Sequence, residues 1–297
     1  MSKTKAAVIG LGSMGFGMAV SLARQGLDVA GADLSAEAVQ RFSAHGRAAN
    51  SAPEAAAGAA ILVVVVVNAA QTRAVLFGPA GAAKALPKGA VIISSATMSP
   101  KDAEALAADA EAQGLLYLDA PISGGAQRAA EGALTILASG SDAAFEKAQP
   151  ALDAMAAKLY RLGDKPGIGA AFKMVNQLLA GVHIAAAAEA MALGLREGVD
   201  AQALYEVITH SAGNSWMFEN RMPHVLQGDY TPLSAVDIFV KDLGLVLDTA
   251  RATKFPLPLA STAHQMFMQA SAAGHGREDD AAVIKIFPGI RLPGSTD

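Results

Sequence analysis

Short apolar runs alternate with alanine-rich stretches of helical pattern from residue 5 to about residue 163. Continuous valine runs such as Val63–Val67 lack the alternation of a half-exposed strand, so they predict strands that are buried on both faces. Alternation of this kind is typical of a doubly wound parallel sheet covered by helices. The predicted strands are Lys5–Gly10, Asp28–Asp33, Ile61–Val67, Val91–Ser94, Leu115–Asp119 and Leu134–Ala138, and the predicted helices between them are Met14–Gln25, Ala36–His45, Gln71–Phe77, Pro100–Gln113 and Asp142–Ala157.

The alternation stops after the turn Gly163–Gly167, and almost no strand pattern follows. The remainder predicts helices over Ile168–Glu197, Asp200–Ser211, Val236–Thr253 and Leu257–Ala273. We therefore expect an α/β domain over residues 1–163 and an all-helical domain over residues 164–297.

Composition excludes several classes of protein. The chain of 297 residues has no cysteine, which rules out disulfide scaffolds, thiol nucleophiles and cysteine-ligated metal sites. A formal net charge of −4 without a basic segment argues against a nucleic-acid partner. The longest purely apolar run, Ala59–Val67, is far shorter than the roughly 20 residues of a membrane helix. No pair of histidines has a metal-ligand spacing. These features predict a cytoplasmic protein with no metal, nucleic-acid or membrane partner.

A glycine-rich segment follows the first predicted strand and reads Gly10-Leu11-Gly12-Ser13-Met14-Gly15. In a dinucleotide-binding loop the first glycine permits a tight turn, the second lets the backbone approach a pyrophosphate, and the third allows close packing of helix and strand. The N–H groups at the start of the next helix would face the phosphates. The alternative is a glycine turn in an α/β protein that binds no cofactor.

Asp33 ends the second predicted strand, roughly 20 residues after Gly10, which is the spacing of the acid that binds the ribose hydroxyls of NAD. Leu34 and Ser35 follow it, and no arginine or lysine lies beside it to accept the 2′-phosphate of NADP. The sequence therefore favours NAD. The alternative role of Asp33 is to cap the helix that begins near Ser35.

Two further groups of residues suggest a substrate site. The hydroxyl of Ser123 and the N–H groups of Gly124 and Gly125 can bind a carboxylate, although an ordinary turn fits the triplet equally well. Lys173, Asn176 and Gln177 share one face of a predicted helix that is otherwise apolar. Burial disfavours the charged form of a lysine, so Lys173 could accept a proton, but it could also extend to solvent from an exposed face.

Four segments together resemble the β-hydroxyacid dehydrogenase family, whose members include 3-hydroxyisobutyrate dehydrogenase and tartronate semialdehyde reductase. They are Gly10–Gly15, Asp119–Gly125, Gly167–Gln177 and Lys241–Asp248, and they occur in the order of the family over nearly the whole chain. The resemblance implies a Rossmann-like NAD-binding domain followed by an all-helical domain for substrate binding and oligomerisation. The long apolar helix over residues 168–197 could hardly bury all its faces in one small domain, so we expect a homodimer or homotetramer.

The resemblance also implies roles for single residues. Lys173 would be the catalytic base, and Asn176 would orient the substrate. Ser123, Gly124 and Gly125 would bind the substrate carboxylate. Thr97 and Lys241 would contact the nicotinamide nucleotide.

Two residues depart from the pattern of many members. Asn68 stands in Val67-Asn68-Ala69 where Met-Leu-Pro is common, and Gln177 replaces a second asparagine. We expect Asn68 at the cofactor and Gln177 at the substrate. Both traits are similar to a branch of the family that handles four-carbon sugar acids, which implies L-threonate as the favoured substrate. The alternatives are oxidation of 3-hydroxyisobutyrate, reduction of tartronate semialdehyde, or nucleotide binding without catalysis.

Overall fold

The structure is a computed structural model that describes residues 3–294. It forms two compact units, which meet along the chain between Lys173 and Met174. Gly163, at which the sequence pattern predicts the division, is the last residue of a strand in the first unit.

One sheet runs through the first unit. Its strands are β1 (Lys5–Ile9), β2 (Asp28–Ala32), β3 (Arg47–Ala48), β4 (Ile61–Val64), β5 (Val91–Ser94), β6 (Leu116–Asp119), β7 (Ile122–Ser123), β8 (Leu134–Ser139) and β9 (Ala156–Gly163). The order is β3-β2-β1-β4-β5-β6-β8-β7, with β9 paired to β8. All pairs from β3 to β6 are parallel, whereas β8 is antiparallel to β6 and β7. The strand order reverses at β1, and ligands bind at such a point in open parallel sheets.

Helices cover this sheet. They are α1 (Gly15–Arg24), α2 (Ala36–Phe42), α3 (Ala52–Ala56), α4 (Ala69–Phe77), α5 (Pro100–Glu111), α6 (Gly125–Glu131) and α7 (Asp142–Met155), with a 3₁₀ turn at Ala83–Ala85. Successive strand residues enter different apolar clusters, because side chains alternate across a strand. Val63 packs into the cluster that contains Met18 of α1, and its neighbour Leu62 packs into the one that contains Leu106 of α5. The prediction of a parallel sheet buried on both faces is confirmed.

The structure differs from the prediction at one boundary and contains one strand and one helix that were not predicted. The valine-rich strand ends at Val64 rather than Val67, because only the N–H of Val65 still bonds β1, at Ile9 O, before the chain leaves the sheet. Strand β9 was not predicted, because its side chains are exposed or half-buried and lack an apolar pattern, and because its described pairing is with β8. The helix Trp216–Gln227 was also missed, because Pro223 interrupts its pattern.

The second unit is helical. The long helix α8 (Ile168–Arg196) begins in the first unit and continues into the second. It is followed by α9 (Ala201–Thr209), α10 (Trp216–Gln227), α11 (Val236–Ala252) and α12 (Pro258–Ala270), then by a π turn at Ser271–His275 and a 3₁₀ helix at Asp280–Ile286. Phe239 of α11 stacks on Phe267 of α12 with ring centroids 5.2 Å apart. The fold class predicted from the sequence is confirmed.

A buried ion pair links α10 to the 3₁₀ helix of the second unit. Arg221 donates from both Nε and Nη2 to the Asp280 carboxylate, at 2.5 and 3.2 Å. Burial raises the pKa of Asp280 to about 6, although the Arg221 guanidinium acts in the opposite direction. Such a pair fixes geometry more than it adds stability.

Helix α8 is, within residues 3–294, the one helix long and apolar enough to cross a membrane by length and composition. A count of uninterrupted apolar residues overlooks it, because Lys173 and Glu189 divide its sequence. The core helix of a soluble protein passes the same test.

Candidate active site

The glycine loop joins β1 to α1 at the point where the strand order reverses. Gly10 has φ +94°, and a Cβ there would lie 2.2 Å from Val65 O. A Cβ on Gly15 would lie 1.8 Å from Gly10 O. Around Gly12, in contrast, no atom lies within 4 Å of such a Cβ. Two glycines are therefore required by packing, and the third leaves an open backbone surface beside the start of α1, where a pyrophosphate can approach.

The Asp33 carboxylate lies at the carboxyl end of β2 beside this loop. Its Oδ2 accepts the Leu11 N–H at 2.6 Å, and its Oδ1 accepts the Ser35 N–H at 2.8 Å. Ser35 itself is the N-cap of α2, so the alternative that Asp33 caps this helix is wrong. Each carboxylate oxygen keeps further lone pairs for the two hydroxyls of a ribose.

Asn68 and Thr97 follow the carboxyl ends of β4 and β5. Asn68 is the N-cap of α4, and its Oδ1 accepts the Gln71 N–H at 2.9 Å. This bond leaves the Asn68 amide nitrogen for another partner. Thr97 is half-buried between β5 and α5. Because β1, β2, β4 and β5 are parallel, all these residues lie at one edge of the sheet.

The segment Ser123-Gly124-Gly125 joins β7 to α6. Ser123 pairs with Thr135 of β8, which fixes its position. Gly124 and Gly125 have φ +138° and +77°, values that side chains rarely adopt, and no atom lies within 4 Å of a Cβ on Gly125. The triplet is thus a turn that requires glycine at its two exposed positions, with room for a ligand beside Gly125.

Lys173 lies in the second turn of α8, and only 8% of its surface is exposed. The neighbouring Phe172, on another face of the helix, is exposed. The prediction that Lys173 sits on a helix is confirmed, and its burial argues against the alternative of a lysine that extends to solvent.

Asp119 is the last residue of β6 and begins the segment Asp119–Gly125 named from the sequence, which assigned it no role of its own. Its carboxylate is buried and accepts the N–H groups of Gly167 and Ala170 at the start of α8. Burial raises the pKa of Asp119 to about 6, against the opposing effect of these bonds. An acidic residue at the end of a buried strand was the available signal.

In the second unit, Gln177 and Lys241 contact Asp242, and Asn176 contacts Gln177. Asp242 lies in the segment Lys241–Asp248 named from the sequence, which assigned it no role of its own. Gln177 donates from Nε2 to Asp242 Oδ2 at 2.6 Å and accepts from Asn176 Nδ2 at 3.0 Å. Lys241 Nζ lies 2.5 Å from Asp242 Oδ1. Since a carboxylate only accepts, Asp242 fixes the orientation of the Gln177 amide, which in turn fixes that of Asn176. Asn176 itself is exposed.

The predicted site residues thus form two groups. The glycine loop, Asp33, Asn68, Thr97 and Ser123–Gly125 belong to the first unit, together with Lys173. Asn176, Gln177 and Lys241 belong to the second. In the described part of the chain, no three His, Asp or Glu side chains are grouped so that they could hold a metal ion.

Family models match both parts of the chain. Residues 5–163 match the NAD-binding domain of 6-phosphogluconate dehydrogenase, and residues 167–287 match the NAD-binding model of NADP-dependent 3-hydroxyisobutyrate dehydrogenase. The chain belongs to the β-hydroxyacid dehydrogenase family. The resemblance stated from its sequence is confirmed.

Similar proteins of this family include L-threonate dehydrogenases and 3-hydroxyisobutyrate dehydrogenases. L-threonate dehydrogenase of Cupriavidus necator is 63% identical, over 98% of each chain. Mitochondrial 3-hydroxyisobutyrate dehydrogenase of Mus musculus is 32% identical, over 96% of this chain and 87% of that protein. A crystal structure from Salmonella typhimurium, titled 3-hydroxyisobutyrate dehydrogenase, is 57% identical, with a TM-score of 0.91 over 96% of this chain and all of that one.

This β-hydroxyacid dehydrogenase therefore uses NAD and acts on the CH–OH group of a hydroxyacid. The open surface at Gly12 and the acceptor Asp33 fit that cofactor. The expectations of enzyme class and cofactor are confirmed.

Proposed function

We propose that the enzyme oxidises L-threonate with NAD, and that Lys173 is the catalytic base. The observation that carries the choice of substrate is the 63% identity to an L-threonate dehydrogenase over 98% of each chain, against 32% for a 3-hydroxyisobutyrate dehydrogenase. The name given to the Salmonella structure is the reason for testing both substrates.

Oxidation of an alcohol removes a hydride from carbon and a proton from oxygen. The nicotinamide ring, when bound, accepts the hydride. Lys173 in its neutral form accepts the proton and then, as the ammonium, faces the new carbonyl oxygen. Its burial supports this role, because a buried side chain is held in place for the transfer of the proton.

The substrate carboxylate binds at Ser123, Gly124 and Gly125. The Ser123 hydroxyl and the two glycine N–H groups are donors, and the absence of a Cβ at Gly125 leaves space for the anion. A turn of this kind binds the end that L-threonate shares with other hydroxyacids, so it does not by itself select the four-carbon chain.

The polar residues of α8 distinguish one hydroxyacid from another. Asn176 donates one N–H to Gln177 and retains its carbonyl oxygen and second N–H for the substrate hydroxyls. Gln177 acts through Asn176, because its own amide is bonded at both ends. A polyhydroxylated substrate offers the hydroxyls that these groups require.

The residues that bind the cofactor are Gly10, Leu11, Gly12, Ser13, Met14 and Gly15, together with Asp33, Asn68, Thr97 and Lys241. Asp33 binds the ribose hydroxyls, and Asn68 contributes its amide nitrogen. Lys241 contacts the nicotinamide nucleotide while Asp242 holds its ammonium group.

The assembly is a cytoplasmic homodimer or homotetramer. Phe172, Val175, Leu179 and Leu193 are large apolar side chains exposed at helical spacing along α8, and a second copy of the chain would cover them. Light scattering on a sizing column measures the mass, and a monomer at working concentration contradicts this part of the proposal.

The test of function measures NADH formation with L-threonate, D-threonate, 3-hydroxyisobutyrate and glycerate. We expect the highest kcat/KM with L-threonate. Lys173→Ala should lower kcat by about 10²- to 10⁴-fold, the usual contribution of a general base, without weakening NAD binding. Higher kcat/KM with 3-hydroxyisobutyrate would overturn the substrate, and an active Lys173→Ala variant would overturn the mechanism.

A further inference from the structure

A single oxygen of the buried Asp119 carboxylate gathers three donors. Oδ2 accepts the N–H of Gly167 at 2.9 Å, the N–H of Ala170 at 2.8 Å and the hydroxyl of Ser139 at 3.3 Å. Ser139 in turn accepts the N–H of Gly169 at 2.9 Å. Asp119 ends β6 and Ser139 ends β8, so both acceptors belong to the sheet.

These bonds replace an ordinary helix cap. The first N–H groups of an α-helix have no partner within it, and the residue before the helix usually supplies a side-chain oxygen. Here that residue is Gly167, which has φ +99° and no side chain. Asp119 and Ser139 provide the missing acceptors, so the start of α8 is capped from strands that lie far away in the sequence.

Close packing holds the same turn against the sheet. A Cβ on Gly169 would lie 2.4 Å from Leu137 O and 3.0 Å from Asp119 O. The helix backbone therefore lies directly on the backbone of β6 and β8. A small displacement of α8 would break the bonds to Asp119 and Ser139 together.

Asp119 is also joined to both parts of the proposed site. Four residues after it in the chain comes Ser123, and Lys173 follows Ala170 by less than one turn of α8. Proton transfer from a bound hydroxyl to a lysine requires the lysine to be placed accurately. A displacement of about 1 Å can lower the rate by about 10²-fold.

We propose that Asp119 is a positioning residue for the dehydrogenase reaction, which fixes Lys173 relative to Ser123, Gly124 and Gly125 by capping α8 from the sheet. It touches neither substrate nor cofactor and acts through Ser139 and the first turn of the helix. This inference rests on the proposed role of Lys173. The charge of the carboxylate matters because charged acceptors bind N–H groups more strongly than neutral ones.

The variant Asp119→Asn tests the proposal, since its amide oxygen can occupy the same place without the charge. We expect kcat to fall by about 10- to 100-fold, with KM for L-threonate and the affinity for NAD little changed. The primary deuterium isotope effect on kcat, with L-threonate labelled at the oxidised carbon, should rise because hydride transfer becomes slower than product release. Above pH 7 the unfolding temperature should not fall, because a buried charge is removed.

Hydrogen exchange in the peptide that covers residues 164–175 provides a measurement independent of catalysis. We expect faster exchange in Asp119→Asn and, to a smaller extent, in Ser139→Ala. Gly169→Ala displaces the same turn by steric contact while Asp119 is intact, and it should lower kcat as Asp119→Asn does.

Ser141→Ala is the matched control, because Ser141 is the N-cap of another helix of the same unit, α7, through the Ala144 N–H. It should lower the unfolding temperature and leave kcat and the isotope effect unchanged. The proposal is overturned if Asp119→Asn keeps the parental kcat and isotope effect, or if exchange over residues 164–175 does not change. Retained activity in Lys173→Ala would instead overturn the proposed function, whatever the exchange data show.

Discussion

At the scale of single residues, the proposed site assigns the choice of cofactor to Asp33 and to the residues beside it. Its carboxylate is held by the N–H groups of Leu11 and Ser35, so it cannot turn away from a ribose. Leu34, which follows it, is fully exposed and contributes no charge. Arg41, the nearest basic residue along the chain, lies 4.2 Å above the Phe16 ring. The preference for NAD thus depends on a carboxylate that repels a 2′-phosphate and on the absence of a cation next to it.

The double variant Asp33→Ser, Leu34→Arg should therefore accept NADP. Removal of the carboxylate ends the repulsion, and the arginine supplies a charge-assisted bond to the 2′-phosphate. We expect the ratio of kcat/KM for NADP to that for NAD to rise by about 10²-fold or more, at about 1.4 kcal/mol for each factor of ten. Leu34→Ala is the control and should keep the preference of the parent enzyme.

Asp242 gives a second prediction at this scale. Asp242→Asn weakens the contact with Lys241 and allows the Gln177 amide to turn, so that Asn176 is no longer oriented. Lost hydrogen bonds to a charged group cost about 1.5–3 kcal/mol, so kcat/KM for L-threonate should fall by one to two orders of magnitude. Asp248→Asn, on the same helix, removes only an exposed ion pair with Arg251. Equal effects of the two changes would contradict the role of Asp242.

At the scale of secondary-structure elements, features set by neighbouring residues could be predicted from the sequence, whereas features that depend on contacts between distant residues could not. Ser99 caps α5 from the position just before the helix, because its hydroxyl accepts the N–H of Asp102 and donates to the Asp102 carboxylate. The cap of α8 could not be predicted in this way, because Asp119 lies about 50 residues before the helix it caps. Strand β9 was missed for a similar reason, since its only support is the pairing with β8.

The strand–loop–helix element at the cofactor site yields a paired prediction. Gly15→Ala introduces a Cβ 1.8 Å from Gly10 O and should lower the unfolding temperature as well as NAD affinity. Gly12→Ala meets no protein atom within 4 Å, so the enzyme should fold normally and still bind NAD at least about tenfold more weakly, since the methyl group occupies the approach of the pyrophosphate. Calorimetry and titration with NAD separate the two effects. Normal NAD binding by Gly12→Ala would exclude this loop as the cofactor site.

At the scale of the whole molecule, each unit contains a buried aspartate whose pKa is raised to about 6 by burial: Asp119 in the first and Asp280 in the second. A raised carboxyl pKa means that the folded state holds the proton more tightly than the unfolded chain. The associated stability is complete below the ordinary value of 3.8 and is lost as the pH rises through about 6.

The two aspartates should respond differently to replacement by asparagine. Asp119→Asn removes a buried charge that is bound only by neutral groups. The free energy of unfolding of this variant, relative to that of the parent enzyme, should therefore increase as the pH rises from about 4 to about 7. The rise of the pKa from 3.8 to about 6 corresponds to about 3 kcal/mol. Asp280→Asn removes the closer counter-charge of the buried Arg221 and leaves Asp279, 4.0 Å from its Nε, so it should cost up to about 3–5 kcal/mol at neutral pH. Denaturant titrations at several pH values measure both, and a pH-independent difference for Asp119→Asn would contradict the first expectation.

The capping of α8 by strands of the sheet has a consequence for recombination between members of the family. A chimera joined at the turn of residues 163–167 takes its sheet from one parent and all of α8, including the lysine, from the other. We expect such a chimera to be active only if α8 has a small residue at position 169. Its first N–H groups must also lie where Asp119 and Ser139 can accept them. Whether two parent enzymes can be combined thus depends on residues 119, 139 and 169. A library of chimeras chosen to match at these positions should contain more active members than one with randomly placed junctions.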